Sequence, residues 1–435
     1  MRVIKKNDKR LIRSWSMYDW ANSAYNLVIT STIFPAYYTA ITQTEEHGDV
    51  VSFFGFKIIN TALSNFSLAI AYLIMAVTLP FISSYADVQG KKKQIMMLFT
   101  YFGAVSCMGL FFFKIETLEL GIILFAMAAI GYIGGVLFNN SYLPEIATAD
   151  QQDRVSAQGF AYGYVGCVVL QLICLVFILS PDTFGITDAT FAPRLSFLLV
   201  GIWWAGFATI PFKVLPNSQR SAVRASKQIF RTVVIEFRIV LRKIGKMERI
   251  KRFLPAYFFY AAGVQTVMIV AAAFGAKELH MENSKLIITI LLIQLVAILG
   301  ALLMSKLSEK YGNIKILIAV VLVWIGICVS AFFVNSETAF YVLACVVGLV
   351  MGGIQSLSRS TYSKFLPQNT KDTTSFFSFY DVTEKLAIVM GLFAFAVIEQ
   401  LTHNIRYSAL ALSIFFVIGV ILLLRVLRFN KVMTV

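Results

Sequence analysis

The chain has 435 residues, of which 58% are hydrophobic and only 14% charged, too few charges and too many long apolar runs for a soluble protein of this length. Helices that face lipid need apolar residues outside as well as within, and that accounts for the excess. A net charge of +15 would suit a nucleic-acid partner in a soluble chain. Here the basic residues fall between apolar runs, which excludes that class and points to a membrane surface.

Runs of about twenty apolar residues, enough to cross the hydrocarbon core, begin near Asp19, Ile58, Gln94, Leu118, Ser156 and Arg194. Six more begin near Phe253, Leu286, Ile314, Ala339, Thr373 and Tyr407. The expected fold is therefore all-α, with twelve transmembrane helices in two pseudo-symmetric six-helix bundles. The expected division is a first bundle over 1–213, a basic cytoplasmic linker over 214–252 and a second bundle over 253–435. With the N-terminus inside, most of the 38 Lys and Arg fall in inside segments. The outside loops and their edges hold Lys57, Lys114, Arg194, Lys277, Lys285 and Arg406. This asymmetry predicts a multi-pass protein with both termini cytoplasmic, in the inner membrane if the source is bacterial, and a basic surface facing anionic lipid. A monomer is expected.

The first helix places Asp19, Asn22, Ser23, Asn26 and Thr30 at steps of three and four, one polar stripe on one face. In lipid such a stripe turns inward to a cavity or a polar neighbour. Asp19 at the helix start reads equally well as a cap. Between the second and third helices stands Ser83-Ser-Tyr-Ala-Asp87-Val-Gln-Gly90-Lys91-Lys92-Lys93, and it returns as Ser305 to Lys315 with Glu309 and Gly312 at the same spacing. The two acids are 222 positions apart, about half the chain, so the sequence reads as a duplication of the kind transporters use. In each turn a glycine lets the backbone reverse within a few residues. Asp87 is expected beside the start of the eleventh helix near Lys371 to Ser375. By the same two-fold, Glu309 is expected beside the start of the fifth near Arg154 and Ser156, so that Asp87, Gly90, Lys91, Glu309, Gly312 and Arg154 form the expected cytoplasmic gate. Helix starts expose N–H groups that attract a carboxylate.

The fourth helix ends in a glycine pair followed by Asn139-Asn140-Ser-Tyr-Leu-Pro144-Glu145. The fifth opens with Arg154-Val-Ser156-Ala-Gln-Gly159, a small-residue face that a neighbour can approach. Between Lys213 and Arg252 the apolar residues Ile229, Val233, Phe237, Val240, Leu241, Ile244 and Met247 recur at helical spacing, with Arg231, Arg238, Arg242, Lys246 and Arg249 largely off that stripe. That is an amphipathic helix for the inner membrane surface, either a plain linker or a lipid-sensing element. The seventh helix adds Tyr257, Tyr260, Gln265 and Thr266, and the tenth ends on Gln355 and Arg359, the arginine near enough to the cytoplasmic edge to snorkel.

The eleventh helix is the costly one, because Asp381, Glu384 and Lys385 lie deep in it. An ionisable group there costs at least roughly 2.5–3.5 kcal/mol and marks a functional site by default. An Asp381–Lys385 pair at four-residue spacing leaves Glu384 as the expected proton carrier, with a raised pKa. Asp19, Asn22, Asn26, Gln355, Asp381, Glu384 and Lys385 are predicted to share one central cavity. Asn139, Asn140, Gln265 and Arg359 are further cavity candidates, and Asp381 and Lys385 are coupling candidates beside Glu384.

The turn around Asp87 resembles the cytoplasmic signature of the major facilitator superfamily, with Ser83 for its first glycine and Val88 for its first basic residue. More specifically, Tyr18-Asp-Trp-Ala-Asn-Ser-Ala-Tyr25 and Gly352-Gly-Ile-Gln-Ser-Leu-Ser-Arg-Ser360 resemble the autophagy-related vacuole effluxer-like family. Asn140 to Glu145, the opening of the fifth helix and Trp203-Trp204 fit the same pattern, so the resemblance covers nearly the whole chain. It implies a major facilitator fold, a central cavity, alternating access and, from fungal relatives, export of amino acids from the vacuole, while bacterial relatives have largely unassigned substrates. One departure is Ala262, where the family often has an acid before Gly263-Val264-Gln265-Thr266.

The sequence-level function is secondary transport of a small polar solute, with protons as a candidate driving ion. A solute sensor that does not transport is the alternative, followed by a membrane-embedded enzyme. No nucleotide-binding loop is present. His47, His280 and His403 fall in outside loops without metal spacing, and Cys107, Cys167, Cys174, Cys328 and Cys345 lie in apolar runs as packing residues. No cofactor, metal site or catalytic residue is expected.

Overall fold

The computed structural model describes residues 5–43, 48–217, 229–367 and 370–432. His47, the chain ends and part of the linker (218–228) lie outside the described residues. The side chain of Arg231 also lies outside the description.

The first span starts well before the expected point. Asp8 caps α1 (Lys9–Ala24), its carboxylate accepting from the Arg10 and Leu11 amides at 2.8 and 3.0 Å. Asp19 is therefore mid-helix and does not cap it. The helix then widens into a π-helical stretch, Tyr25–Thr32, before α2 (Ile33–Thr42). Pro35 has no N–H to offer the carbonyl of Ser31, which favours a local change of helix type. The Ser31 and Thr32 hydroxyls donate back to the Asn26 and Leu27 carbonyls at 2.9 and 2.7 Å. A hairpin of β1 (Val50–Phe53) and β2 (Phe56–Ile59), turning at Phe54-Gly55, follows the first span.

The first half continues through α3 (Asn60–Gln89), α4 (Lys92–Gly109), α5 (Leu118–Asn140), the single turn α6 (Leu143–Ile146), α7 (Gln152–Leu179) and α8 (Phe191–Val214). The amphipathic linker helix is α9 (Ile229–Lys246). The second half runs through α10 (Glu248–Leu279), α11 (Asn283–Tyr311), α12 (Asn313–Phe333), α13 (Glu337–Phe365), α14 (Thr373–Thr402) and α15 (Ile405–Val432). Ten of these helices are long and apolar enough to cross a membrane. The α1–α2 unit and α14 fall outside that group, and they carry the polar stripe and the charged trio. With them the spans are twelve.

Pairing repeats between halves. Contacts of α1 with α7 and α8, of α4 with α5 and α8, and of α3 with α5 recur as α10 with α14 and α15, α12 with α13 and α15, and α11 with α13. Each half has its own apolar core, one spread from Leu11 to Leu215 and the other joining Val240 to Val426 with Tyr164. The halves meet where α3 packs on α14 and α7 on α11 and α13.

Helix α9 straddles one of those seams. Phe237 packs against Phe81 of α3 and stacks on Phe379 of α14, with ring centroids 5.2 and 5.8 Å away. Lys243 pairs with Asp372 at 2.7 Å, just ahead of α14. Glu236 is buried on this docked face with Val233 and Val240. Burial, and then the charge of nearby Asp372, push its carboxyl up to about 7, opposed by Lys243 and raised slightly further by Asp87. A carboxyl raised on docking binds its proton more tightly when docked. Docking is therefore strongest below the ordinary glutamate range and weakens as pH rises through about 7. Amide exchange of α9 is expected to speed up between about pH 5 and pH 8, beyond the intrinsic rate, and Glu236→Gln should flatten that change. Intrinsic-rate behaviour in both proteins would contradict it.

Candidate functional site

Between the halves lies a cavity of about 180 Å³. Of the residues singled out in the sequence, Asp19, Asn22, Asn26, Asn140, Gln265, Gln355, Arg359, Glu384 and Lys385 line it. Tyr257 and Tyr260 contribute from α10, Tyr164 from α7 and Tyr380 from α14. Tyr72, Tyr132 and Gln294 also line it and were not anticipated. Each is an isolated polar group in an apolar helix, which periodicity alone does not separate from packing.

Arg359 anchors the cavity. It lies six residues from the end of α13, about 9 Å along the axis, yet its side chain is only 3% exposed, so it does not snorkel. Its Nη1 donates to Asp19 Oδ2 at 3.1 Å and to Asn140 Oδ1 at 3.0 Å. Its Nε donates to Ser156 Oγ at 2.9 Å and its Nη2 to the Ser156 carbonyl at 2.8 Å. The guanidinium sits 4.2 Å from the Phe160 ring centre and 4.8 Å from that of Trp15, where cation–π attraction adds to the fixing. Asn139 does not line the cavity but donates to Asp19 Oδ1 at 3.1 Å. Gly159 makes room, since a Cβ there would stand 2.5 Å from Asp19 Oδ2 and 2.8 Å from Arg359 Nη2. The pair joins α1 to α13, one half to the other.

The second charged group is on α14. Glu384 accepts from Gln265 Nε2 at 3.0 Å and from Lys385 Nζ at 2.7 Å, so the expected Asp381–Lys385 pair does not leave it apart. The adjacent lysine reaches it because both side chains extend into the same cavity. Asp381 does not line the cavity. It is buried behind it, with Oδ1 3.9 Å from Lys385 Nζ and Oδ2 without a hydrogen bond among the described residues. Lys385 also lies 5.9 Å from the centre of the Tyr72 ring, across the seam.

Nearer the end where α1 begins and α15 finishes, two clusters tie the halves. Asp87 Oδ2 accepts from the backbone amide and the hydroxyl of Ser375, both at 2.7 Å, at the start of α14. Gly90 ends α3 in the left-handed region at φ 65°, and Gly312 follows α11 at φ 87°. Lys91 is exposed, and its neighbour Lys92 is the buried one. Lys92 Nζ reaches Glu145 and Thr373 Oγ1, the latter at 2.8 Å. On the symmetric seam the expected residues are likewise one step off. Glu309 is exposed, whereas Ser308 donates to Asp153 Oδ2 at 3.1 Å, and Asn313 Nδ2 and Lys364 Nζ also bind Asp153. Arg154 is exposed beside it. A helix turns about 100° per residue, so a neighbour in sequence faces away from the seam. Replacing Asp153 by alanine should lower stability by about 2–3 kcal/mol, from lost charge-assisted bonds and an orphaned partner. Glu309→Gln should stay within about 0.5 kcal/mol. Thermal unfolding of the purified variants checks both, and equal effects would contradict the assignment.

Cross-half hydrogen bonds among the described residues run from this end up to Tyr164 OH and Gln355 Oε1, 2.7 Å apart. No described group of three or more His, Cys, Asp or Glu could hold a metal ion. Four of the five cysteines are buried and all are free thiols.

Twelve spans in two repeated halves around a polar central cavity define a membrane transporter of the major facilitator fold. Solved structures agree on the fold. The human organic anion transporter MFSD10 superposes with a TM-score of 0.72 at 10% identity, covering 96% of this chain and all of that one. The FucP transporter in its outward conformation gives 0.66 at 12%, covering 96% and 97%. The family described as vacuole effluxer Atg22 like matches residues 7–432, and the chain belongs to it. An uncharacterized MFS-type transporter of Bacillus subtilis, YxiO, is 31% identical over 411 residues, 94% of this chain and 93% of that one. Autophagy-related protein 22 of Saccharomyces cerevisiae is 25% identical over 403 residues, 80% of this chain and 74% of that one.

Proposed function

We propose that this protein is a secondary transporter that carries a small zwitterion of amino-acid type by alternating access, driven by protons. The observation that carries the reading is the pairing of charges in one cavity, Arg359 with Asp19 on one wall and Lys385 with Glu384 on another. A solute carboxylate competes with Asp19 or Glu384 for a cation, and its ammonium takes the carboxylate released. At about 180 Å³ the space is below the ~300–1,000 Å³ of drug-sized sites, which favours a small solute. Asp381 is the proton carrier in this reading. Its Oδ2 can accept a proton without breaking a hydrogen bond among the described residues.

Both chain ends are taken as cytoplasmic, following the basic residues. The seam bonds then close the cytoplasmic side, and opening it requires parting Asp87 from Ser375, Asp153 from Ser308, and Arg359 from Asp19. The description of the family as a vacuole effluxer supports movement toward the cytoplasmic side, since efflux from a vacuole delivers solute to the cytosol.

Purified protein tested against amino acids, amino-acid amides, plain carboxylic acids, sugars and nucleosides decides the solute class. Zwitterions are expected to raise the thermal midpoint by mass action and to exchange across proteoliposomes, while solutes lacking either charge do neither. Equal binding by sugars or nucleosides would defeat the zwitterion assignment. Saturable binding without flux would make the protein a sensor.

A further inference from the structure

The docked face of α9 is accounted for by α3 and α14, but its other face is not. Arg238, Arg242 and Lys246 project there, exposed, with Ile235 between them 42% exposed. The helix holds one acid, Glu236, and that is buried on the docked side. No described carboxylate pairs with Arg238, Arg242 or Lys246.

The depth of the helix indicates what meets this face. Phe237 rests on Phe379 and Phe81, six residues from the start of α14 and eight from the end of α3. At ~1.5 Å per residue that is about 9 and 12 Å along two spanning helices. An amphipathic helix lying in the interface buries its apolar face about 5–10 Å into the boundary between headgroups and acyl chains. The opposite face of α9, one helix diameter away, therefore lies among headgroups. Its charge is complementary to anionic ones.

We propose that Arg238, Arg242 and Lys246 seat the phosphates of anionic lipid, and that this lipid holds α9 across α3 and α14 so that the seam stays closed. The seat stands on the geometry alone, and its effect on the seam rests on the alternating-access reading. Lipid that binds docked α9 better than released α9 shifts the balance toward docking by that difference. Opening the seam separates α3 from α14, which α9 bridges through Phe237 and Lys243.

The test uses the full chain in nanodiscs of phosphatidylcholine, with and without phosphatidylglycerol. Spin labels at Lys91→Cys and Lys371→Cys, both exposed positions flanking the seam, report its width by pulsed dipolar spectroscopy. Native mass spectrometry reports retained lipid. Phosphatidylglycerol is expected to be retained and to raise the short-distance population several-fold. The triple variant Arg238→Gln/Arg242→Gln/Lys246→Gln should lose about a hundredfold in retention, since each basic side chain near an anionic surface contributes roughly a factor of five. It should also lose the distance response, while its distances in neutral lipid match the parent. Lys306→Gln/Lys310→Gln, exposed basic residues away from α9, should change neither. Undiminished retention in the triple variant overturns the lipid seat. A similar response to inorganic phosphate at matched ionic strength makes it a phosphate site instead. Retained lipid with an unmoved seam overturns the clamp, and leaves both the seat and the transport reading standing.

Discussion

Replacing Arg359 by alanine is expected to abolish exchange of zwitterionic solutes in proteoliposomes, with a loss on the order of a hundredfold or more, about 2.7 kcal/mol at 1.36 per decade. The change deletes donors to Asp19, Asn140 and both oxygens of Ser156. Asp19 is then left in the protein interior with Asn139 as its remaining bonded side chain. Removing one partner of a buried pair costs about 3–5 kcal/mol, so the variant should also be less stable. Arg359→Lys should rescue little, because a compact ammonium cannot reproduce a planar fork serving three residues at once. Stability and transport separate in the double variant Asp19→Asn/Arg359→Gln, which buries no net charge. It should regain most of the lost thermal stability and none of the exchange. Near-parent exchange in either variant would mean the pair only joins the halves.

Asp381→Asn is expected to remove uptake driven by a pH gradient while leaving exchange of solute for solute in place. Both oxygens of Glu384 already accept hydrogen bonds, from Gln265 and Lys385, so protonating it breaks a charge-assisted contact. Asp381 can be protonated on an oxygen that has no hydrogen bond among the described residues. Its protonation state would then reach the cavity through Lys385, which is shared between the two acids. Glu384→Gln should raise the solute concentration needed for half-maximal exchange, at least several-fold, and keep the pH dependence. If Glu384→Gln loses the pH drive and Asp381→Asn keeps it, the two roles are reversed.

Which residues share a membrane span, and how many spans there are, could be read along the chain. The apolar runs, the basic asymmetry and the repeated Asp87 and Glu309 turns depend only on local composition and spacing. Bilayer thickness converts run length into a span, and charge converts loop composition into an expected side. The polar stripe of Asp19, Asn22 and Asn26 was legible for the same reason, since lipid does not accept it. The resemblance carried by the motifs at Tyr18–Tyr25 and Gly352–Ser360 gave the family. Residue-level partners were another matter. At the seams the anticipated Lys91, Arg154 and Glu309 are each displaced by one from Lys92, Asp153 and Ser308, because a step of one residue swings a helical side chain by about 100°. Composition cannot fix that phase, and the packing of α3 on α14 and α7 on α11 does. Tertiary structure alone carried Arg359 inward to Asp19, past a Gly159 that leaves space for both. It also gave Glu384 the donor Gln265 from α10 and left Asp381 as the less satisfied acid. A buried charge settles where partners from several helices converge, and the positions of those partners are not encoded in any one stretch of sequence.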